Sequence, residues 1–179
     1  FGCTQDVPTY DYNPEKAKKL LAEAGYPNGF ETPFLAYRNR DYAEAMINNL
    51  NAVGIKAKLE YLKYAAFRDK VQSGGAPFNF GTWGSYSIND VSAITSHFQS
   101  GGKDDYSKDP EVIKQLGIGD TSVDANVRLA AYKAALSRIS GEAFMFPLWS
   151  YNTWYAFSKD VDFNPTPDEI PRFFTAKWM

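Results

Sequence analysis

Apolar and polar positions along this chain follow rhythms that separate helices from strands. Ala17, Leu20, Leu21 and Ala24 recur at i, i+3, i+4 and i+7, while Lys16, Lys18, Lys19 and Glu23 take the other side. That spacing predicts an amphipathic helix. Asn13 supplies an N-cap side chain, Pro14 suits the first helical position, and Gly25 with Pro27 closes the segment. After the turn at Asn28-Gly29, Phe30 to Tyr37 reads as a short strand. A second helix is expected from Asp41, with Glu44 as its capping-box partner, a stripe of Ala43, Met46, Ile47, Leu50 and Val53, and Gly54 at its end. Ile55, Ala57, Leu59 and Tyr61 then alternate with Lys56, Lys58 and Glu60, the pattern of a half-buried strand. A third helix, Tyr64 to Gln72, stops at Ser73-Gly74-Gly75, and an apolar strand from Phe78 to Trp83 follows.

Helices alternating with strands in this way predict an α/β fold, a mixed and mainly parallel sheet flanked by helices. Beyond it, Asn89 to Phe98 reads as a helix with Val91, Ile94 and Phe98 on one side, and Ser100 to Asp109 reads as a surface loop. A short helix is expected after Asp109-Pro110 and a longer one after Ser122-Val123-Asp124. In the longer one Leu129, Tyr132, Leu136 and Ile139 form the buried seam, and Asp124 and Arg128 stand at pairing distance. Ala143 to Phe157 turns to a β pattern interrupted by Pro147. The remainder, with Pro165, Pro167, Pro171, Phe173, Phe174 and Trp178, is expected to lie across a surface built elsewhere.

Composition narrows the function classes. At 179 residues, with 44% hydrophobic and 22% charged, the chain is long and apolar enough to bury a core, which excludes disorder. A net charge of −2 argues against a nucleic-acid partner. No run of ~18 apolar residues is present to span a bilayer. One cysteine, Cys3, excludes an internal disulfide framework and CxxC-type metal sites, and one histidine, His97, excludes HExxH and two-histidine sites. Aromatic residues make up 16%, more than a small core needs. The sequence begins at Phe1 without a methionine or a signal-like apolar stretch, and so reads as an excised piece or a processed product.

Enzyme readings find little to stand on. There is no GxSxG-type elbow, and His97 sits mid-helix, where it reads as a helix-surface or edge-of-core residue. Glycine-rich stretches lack the spacing of a phosphate cradle. A pair of carboxylates for hydrolysis has no support from spacing. What remains is the stretch Phe80 to Asp90, where a strand gives way to a helix, the place at which α/β sheets receive ligands. Trp83 offers a flat wall and an N–H donor and Asp90 a negative charge for a cationic group, and Gly84, Tyr86 and Asn89 are candidate ligand-binding residues of the same crevice. Ser87 and Asp90 also have capping-box spacing, which gives Asp90 an alternative role at the helix start. A second strand end, Ala36 to Asp41, carries Arg38 and Arg40, either of which could clasp a carboxylate or simply serve as a solvated loop residue.

The run Tyr10-Asp11-Tyr12-Asn13-Pro14-Glu15-Lys16-Ala17-Lys18-Lys19-Leu20-Leu21-Ala22-Glu23-Ala24-Gly25-Tyr26-Pro27-Asn28-Gly29-Phe30 resembles the family 5 extracellular solute-binding proteins, the dipeptide/oligopeptide-type receptors of ABC importers. The resemblance continues through Val53-Gly54-Ile55-Lys56, the Trp83-Gly84 loop, Asp109-Pro110-Glu111-Val112, Asp124 with Arg128, and Pro147-Leu148. It departs at Ser87 to Val91, where Tyr-Pro-Asp-Pro-like residues are usual in the family. The resemblance implies a type II periplasmic-binding-protein lobe. Residues 1–157 would be the C-terminal solute-binding lobe of a two-lobed protein, and residues 158–179 a tail returning toward the first lobe. It further implies Asp90 for a peptide amino terminus and Arg40 for its carboxylate. No cofactor and no catalysis are implied. The implied partners are a small solute or peptide, the transmembrane subunits of an ABC permease and the N-terminal lobe, in the periplasm or lipid-anchored on the outer face of the cell membrane. Relatives of the family also bind sugars, opines, metal chelates and glutathione. A ligand-sensing lobe of a transcription regulator, or a carboxylate-dependent hydrolase, would be the alternative readings.

Overall fold

The computed structural model describes residues 1–84, 88–166 and 170–179. The chain divides into two compact units: a sheet unit of residues 9–82 and 101–106, and a helical unit of residues 1–8, 83–100 and 107–179.

In the sheet unit, α1 (Pro14–Glu23) starts as its sequence requires, with the Asn13 side chain accepting from the Lys16 N–H at 2.8 Å. Strands β1 (Phe30–Ala36), β2 (Ile55–Tyr61) and β3 (Asn79–Phe80) form a parallel sheet in the order β2-β1-β3. Helices α2 (Arg40–Ala52) and α3 (Tyr64–Gln72) connect them. The central strand β1 is buried on both faces. Phe34 and Ala36 pack with Ala43, Ile47, Ala57 and Phe80, whereas Leu35 packs with Phe67, Val71 and Ala76. Successive side chains of one strand thus feed two layers, as a sandwiched parallel strand must.

Several expectations need correction here. The strand expected over Phe78 to Trp83 shrinks to Asn79–Phe80. Pro33 supplies the reason at its start. The Leu35 N–H donates to the Phe78 carbonyl at 3.0 Å, so Pro33, two residues earlier on the same edge, has no N–H to extend the ladder. Helix α2 begins at Arg40, not Asp41, after Asn39 in the left-handed region at φ 51°. Glu44 pairs with Arg40 instead of closing a capping box. Helix α1 buries none of its residues, and Leu20 on its expected seam is 52% exposed.

At the amino ends of the strands, Gly29 at φ 72° touches Gly54 so closely that a Cβ would lie 1.8 Å from the Gly54 carbonyl oxygen. Beside this contact lies an open cavity of about 370 Å³ lined by Lys18, Leu21, Pro27 and Asn51 among others. It stands at the opposite edge of the sheet from the strand ends where ligands are expected.

The helical unit is built on α4 (Ser92–Phe98), α5 (Pro110–Thr121) and α6 (Ala125–Gly141). Its core is Val91, Val112, Leu116, Tyr132, Ala135 and Ile139. The helix after Asp109 is a full 12 residues rather than short, and Leu129, placed in the seam by spacing, is exposed, while Ala131 and Ala135 are buried. The helix expected from Asn89 begins at Ser92. The β pattern over Ala143 to Phe157 yields no strand among the described residues. Alternation encodes sidedness, but a ladder needs a partner, and Phe146, Trp149 and Trp154 stay exposed. The only regular pairing after Gly141 among the described residues joins β4 (Val161–Asp162) to β5 (Lys177–Trp178), antiparallel.

Asp109 ties the two long helices together. Its Oδ1 accepts from the N–H groups of Glu111 (3.1 Å) and Val112 (2.9 Å), and Arg138 clasps both carboxylate oxygens at 2.8 and 2.6 Å. The Arg138 hydrogen bond first, then the Val112 N–H, hold this carboxyl down from its ordinary 3.8 to about 2, against the opposing push of burial. A carboxyl depressed in the folded state contributes stability above the unfolded value. That contribution is lost as pH falls through the folded one. Asp109→Asn is therefore expected to flatten the loss of stability between about pH 4 and pH 2, read by urea unfolding at stepped pH.

Candidate functional site

The strand-to-helix passage that sequence singled out falls into two structural settings. Trp83, Gly84, Asn89 and Asp90 belong to the helical unit, Arg38 and Arg40 to the sheet unit, and Tyr86 lies outside the described residues.

Trp83 is partly buried against the last turn of α4. Its indole stacks on the His97 imidazole with ring centres 4.3 Å apart and planes 23° from parallel, and it meets Phe98 edge-on at 5.2 Å and 84°. The indole nitrogen is buried. Flat contact on one side and edge contact on another fix both tilt and rotation of the ring.

Asp90 is engaged within the protein. Its Oδ1 accepts from the Ser92 N–H at 3.0 Å, at the start of α4, and its Oδ2 accepts from Arg128 at 2.6 Å. Burial pushes the carboxyl up, but the Ser92 and Arg128 hydrogen bonds outweigh it and leave it below the ordinary range. Arg128 also donates to the Gly119 carbonyl (3.0 Å) and to the Tyr132 hydroxyl (3.1 Å), which in turn donates to Asp120 (2.8 Å). The expected pair of Asp124 and Arg128 is not formed. Asp124 instead caps α6 through the N–H groups of Asn126 (2.8 Å) and Val127 (3.2 Å), because an N-terminal carboxylate is better satisfied there. The helix-start role weighed for Asp90 is thus present, and the acid also braces the loop against α6. The Asn89 carbonyl accepts from the Phe1 amino group, and the Val91 N–H donates to the Phe1 carbonyl at 2.9 Å.

The two arginines differ. Arg38 stands at the carboxyl ends of β1 and β3, donating to the Thr82 hydroxyl at 3.0 Å, with its guanidinium 5.4 Å from the Tyr37 ring centre. The Tyr37 hydroxyl shares the same Thr82 oxygen at 2.9 Å. Arg40 sits in the first turn of α2, where its Nε donates to Glu44 at 2.8 Å and its guanidinium lies 5.6 Å from the Tyr61 ring centre. Sequence reasoning gave Tyr37, Thr82 and Phe98 no part in the site. For the two aromatic ones the aromatic excess was the available signal; Thr82 had none. Among the described residues no group of three or more His, Cys, Asp and Glu could hold a metal ion, and no helix is long and apolar enough to cross a membrane.

Residues 2–105 match the profile of the bacterial extracellular solute-binding proteins, family 5 middle region. The chain belongs to that family. Heme-binding protein A of Haemophilus influenzae is 38% identical over 82 residues, covering 41% of this chain and 15% of the relative. Among solved structures, HbpA2 from Haemophilus parasuis superposes with a TM-score of 0.77 at 26% identity, over 99% of this chain and 38% of that one. A dipeptide-binding protein from Pseudoalteromonas sp. SM9913, solved with Met-Leu, reaches a TM-score of 0.80 at 24% identity over 100% of this chain and 38% of that one. This family 5 chain therefore spans 15% of the curated relative and 38% of either solved protein. Its α/β architecture, a parallel sheet flanked by helices, is that of a type II periplasmic-binding-protein lobe.

Proposed function

We propose that this chain is the C-terminal part of a two-lobed receptor that captures a small solute, a di- or oligopeptide, and delivers it to the transmembrane subunits of an ABC importer. In this reading residues 1–157 form the solute-binding lobe and residues 158–179 return toward the first lobe. The receptor works in the periplasm or lipid-anchored at the outer face of the cell membrane. The supporting observation is Trp83, a partly buried indole held in orientation shortly after β3, where the strand-to-helix passage of a family 5 chain begins.

An aromatic wall of fixed plane gives a solute apolar area without losing side-chain entropy on binding. Gly84 and Asn89, with Tyr86, which lies outside the described residues, are the further members of the site in this reading. Both Asp90 oxygens are engaged, by the Ser92 N–H and by Arg128, so its part in this reading is to brace the loop rather than to meet a cationic solute group. For an anionic group, Arg38 is better placed than Arg40, since Glu44 already occupies the latter. The receptor performs no covalent chemistry in this reading, as its relatives are named for what they bind. Capture is a population shift between open and closed forms, biased by the solute.

In the complete protein, Trp83→Ala is expected to weaken solute binding at least tenfold, about 1.4 kcal/mol. Titration calorimetry with the solute that co-purifies is the measurement, and unchanged affinity would remove Trp83 from the site.

A further inference from the structure

An indole has two faces, and in this structure the His97 imidazole lies flat on one of them at 4.3 Å. The plane of the imidazole therefore sets the plane in which the indole is held. We propose that His97 is a positioning residue that holds the Trp83 indole in the orientation a solute meets. This deepens the reading of Trp83 as a wall of the solute site and rests on it.

The support behind the imidazole is continuous and local to the helical unit. His97 sits in the last turn of α4, with the aromatic edge of Phe98 against its own ring at 4.6 Å and 81°. Phe98 therefore touches both partners of the stack, edge-on to each. Helix α4 is fixed at its other end by Asp90, which caps Ser92 and is gripped by Arg128 of α6. Within it, Thr95 is buried and its hydroxyl donates back to the Val91 carbonyl at 3.1 Å. The chain of contact runs from α6 through Arg128, Asp90 and α4 to His97, and ends on the indole. Supporting contacts of this kind decide whether a binding side chain is held to the fraction of an ångström that recognition needs. The ring at 97 matters in this argument for its flat face, so another aromatic residue there should serve.

The test uses the full chain, free of ligand, and near-ultraviolet circular dichroism. Subtracting the spectrum of Trp83→Phe from that of the unmodified chain isolates the Trp83 band from those of Trp149, Trp154 and Trp178. In the His97→Ala background the same subtraction should give a band reduced by more than about half, because an indole without the flat imidazole against it samples more rotamers. In the His97→Phe background the band should persist. His97→Gln, which keeps a polar side chain without a ring, should behave as His97→Ala and replaces it if alanine prevents folding. A Trp83 band undiminished in both His97→Ala and His97→Gln would overturn the proposal. No solute enters this experiment, so it fails or succeeds independently of whether Trp83 contacts one. That contact is read by the affinity of Trp83→Ala in the complete protein.

Discussion

Replacing Tyr132 with alanine is expected to lower the unfolding free energy by about 3–5 kcal/mol, the usual range for deleting a large buried aromatic side chain. Tyr132 is fully buried at the centre of the helical unit, packed with Val91, Val112, Leu116, Ala135 and Ile139. Its ring lies in a slot between two glycines. A Cβ at Gly2 would fall 2.6 Å from its Cδ2, and one at Gly119 would fall 2.4 Å from its Cε1. Backbone on both sides has approached to glycine distance, so little can collapse into the space that alanine would leave. Its hydroxyl also links Arg128 to Asp120, and burial pushes the phenol above its ordinary value. Tyr132→Phe keeps the ring and loses these hydrogen bonds, for which about 1 kcal/mol is expected. Urea unfolding of both variants separates the packing contribution from the polar one.

Gly29→Ala should disrupt the sheet unit by a comparable amount through a different cause. At φ 72° a side chain is strained wherever it sits, by roughly 1–2 kcal/mol. Here the added Cβ would also stand 1.8 Å from the Gly54 carbonyl oxygen, a backbone atom that no rotamer change can move. Relief requires shifting the amino ends of β1 and β2 apart, where Phe30 pairs with Ile55. Overpacking of that kind adds roughly 1–3 kcal/mol. Gly25, also at positive φ, meets nothing within 4 Å of an added Cβ, so Gly25→Ala isolates the conformational part of the cost. Thermal unfolding of the two variants side by side checks the comparison, with Gly29→Ala the more damaged.

Much of this architecture could be read from local rules because local physics makes it. The caps at Asn13, Asp109 and Asp124 each place an oxygen within reach of N–H groups two or three residues on. The alternation from Ile55 to Tyr61 became β2, and the apolar run at Phe34, Leu35 and Ala36 became a strand buried on both faces. The family resemblance drew on the same stretches, and the matching profile covers residues 2–105.

What stayed hidden in the sequence depends on distant residues. Arg128 stood four residues from Asp124 and pointed by spacing to a helical pair, yet it closes on Asp90 across 38 positions. A partly buried carboxylate that already caps a helix gains more from a guanidinium than a solvated one does. His97, read as a helix-surface or edge-of-core residue, is partly buried, and nothing in its neighbours announced that its ring would face Trp83. Ala143 to Phe157 carries strand-like residues but forms no strand among the described residues, since alternation specifies a side and not a partner.

The receptor reading proposes capture by two lobes, with this chain supplying one of them. The most direct test takes the solute that co-purifies with the complete protein and titrates it, by calorimetry, into the complete protein and into the 179-residue chain alone. Half of the contacts should leave the isolated chain roughly a hundredfold weaker, or without measurable binding. Equal affinity in the two titrations would contradict the account.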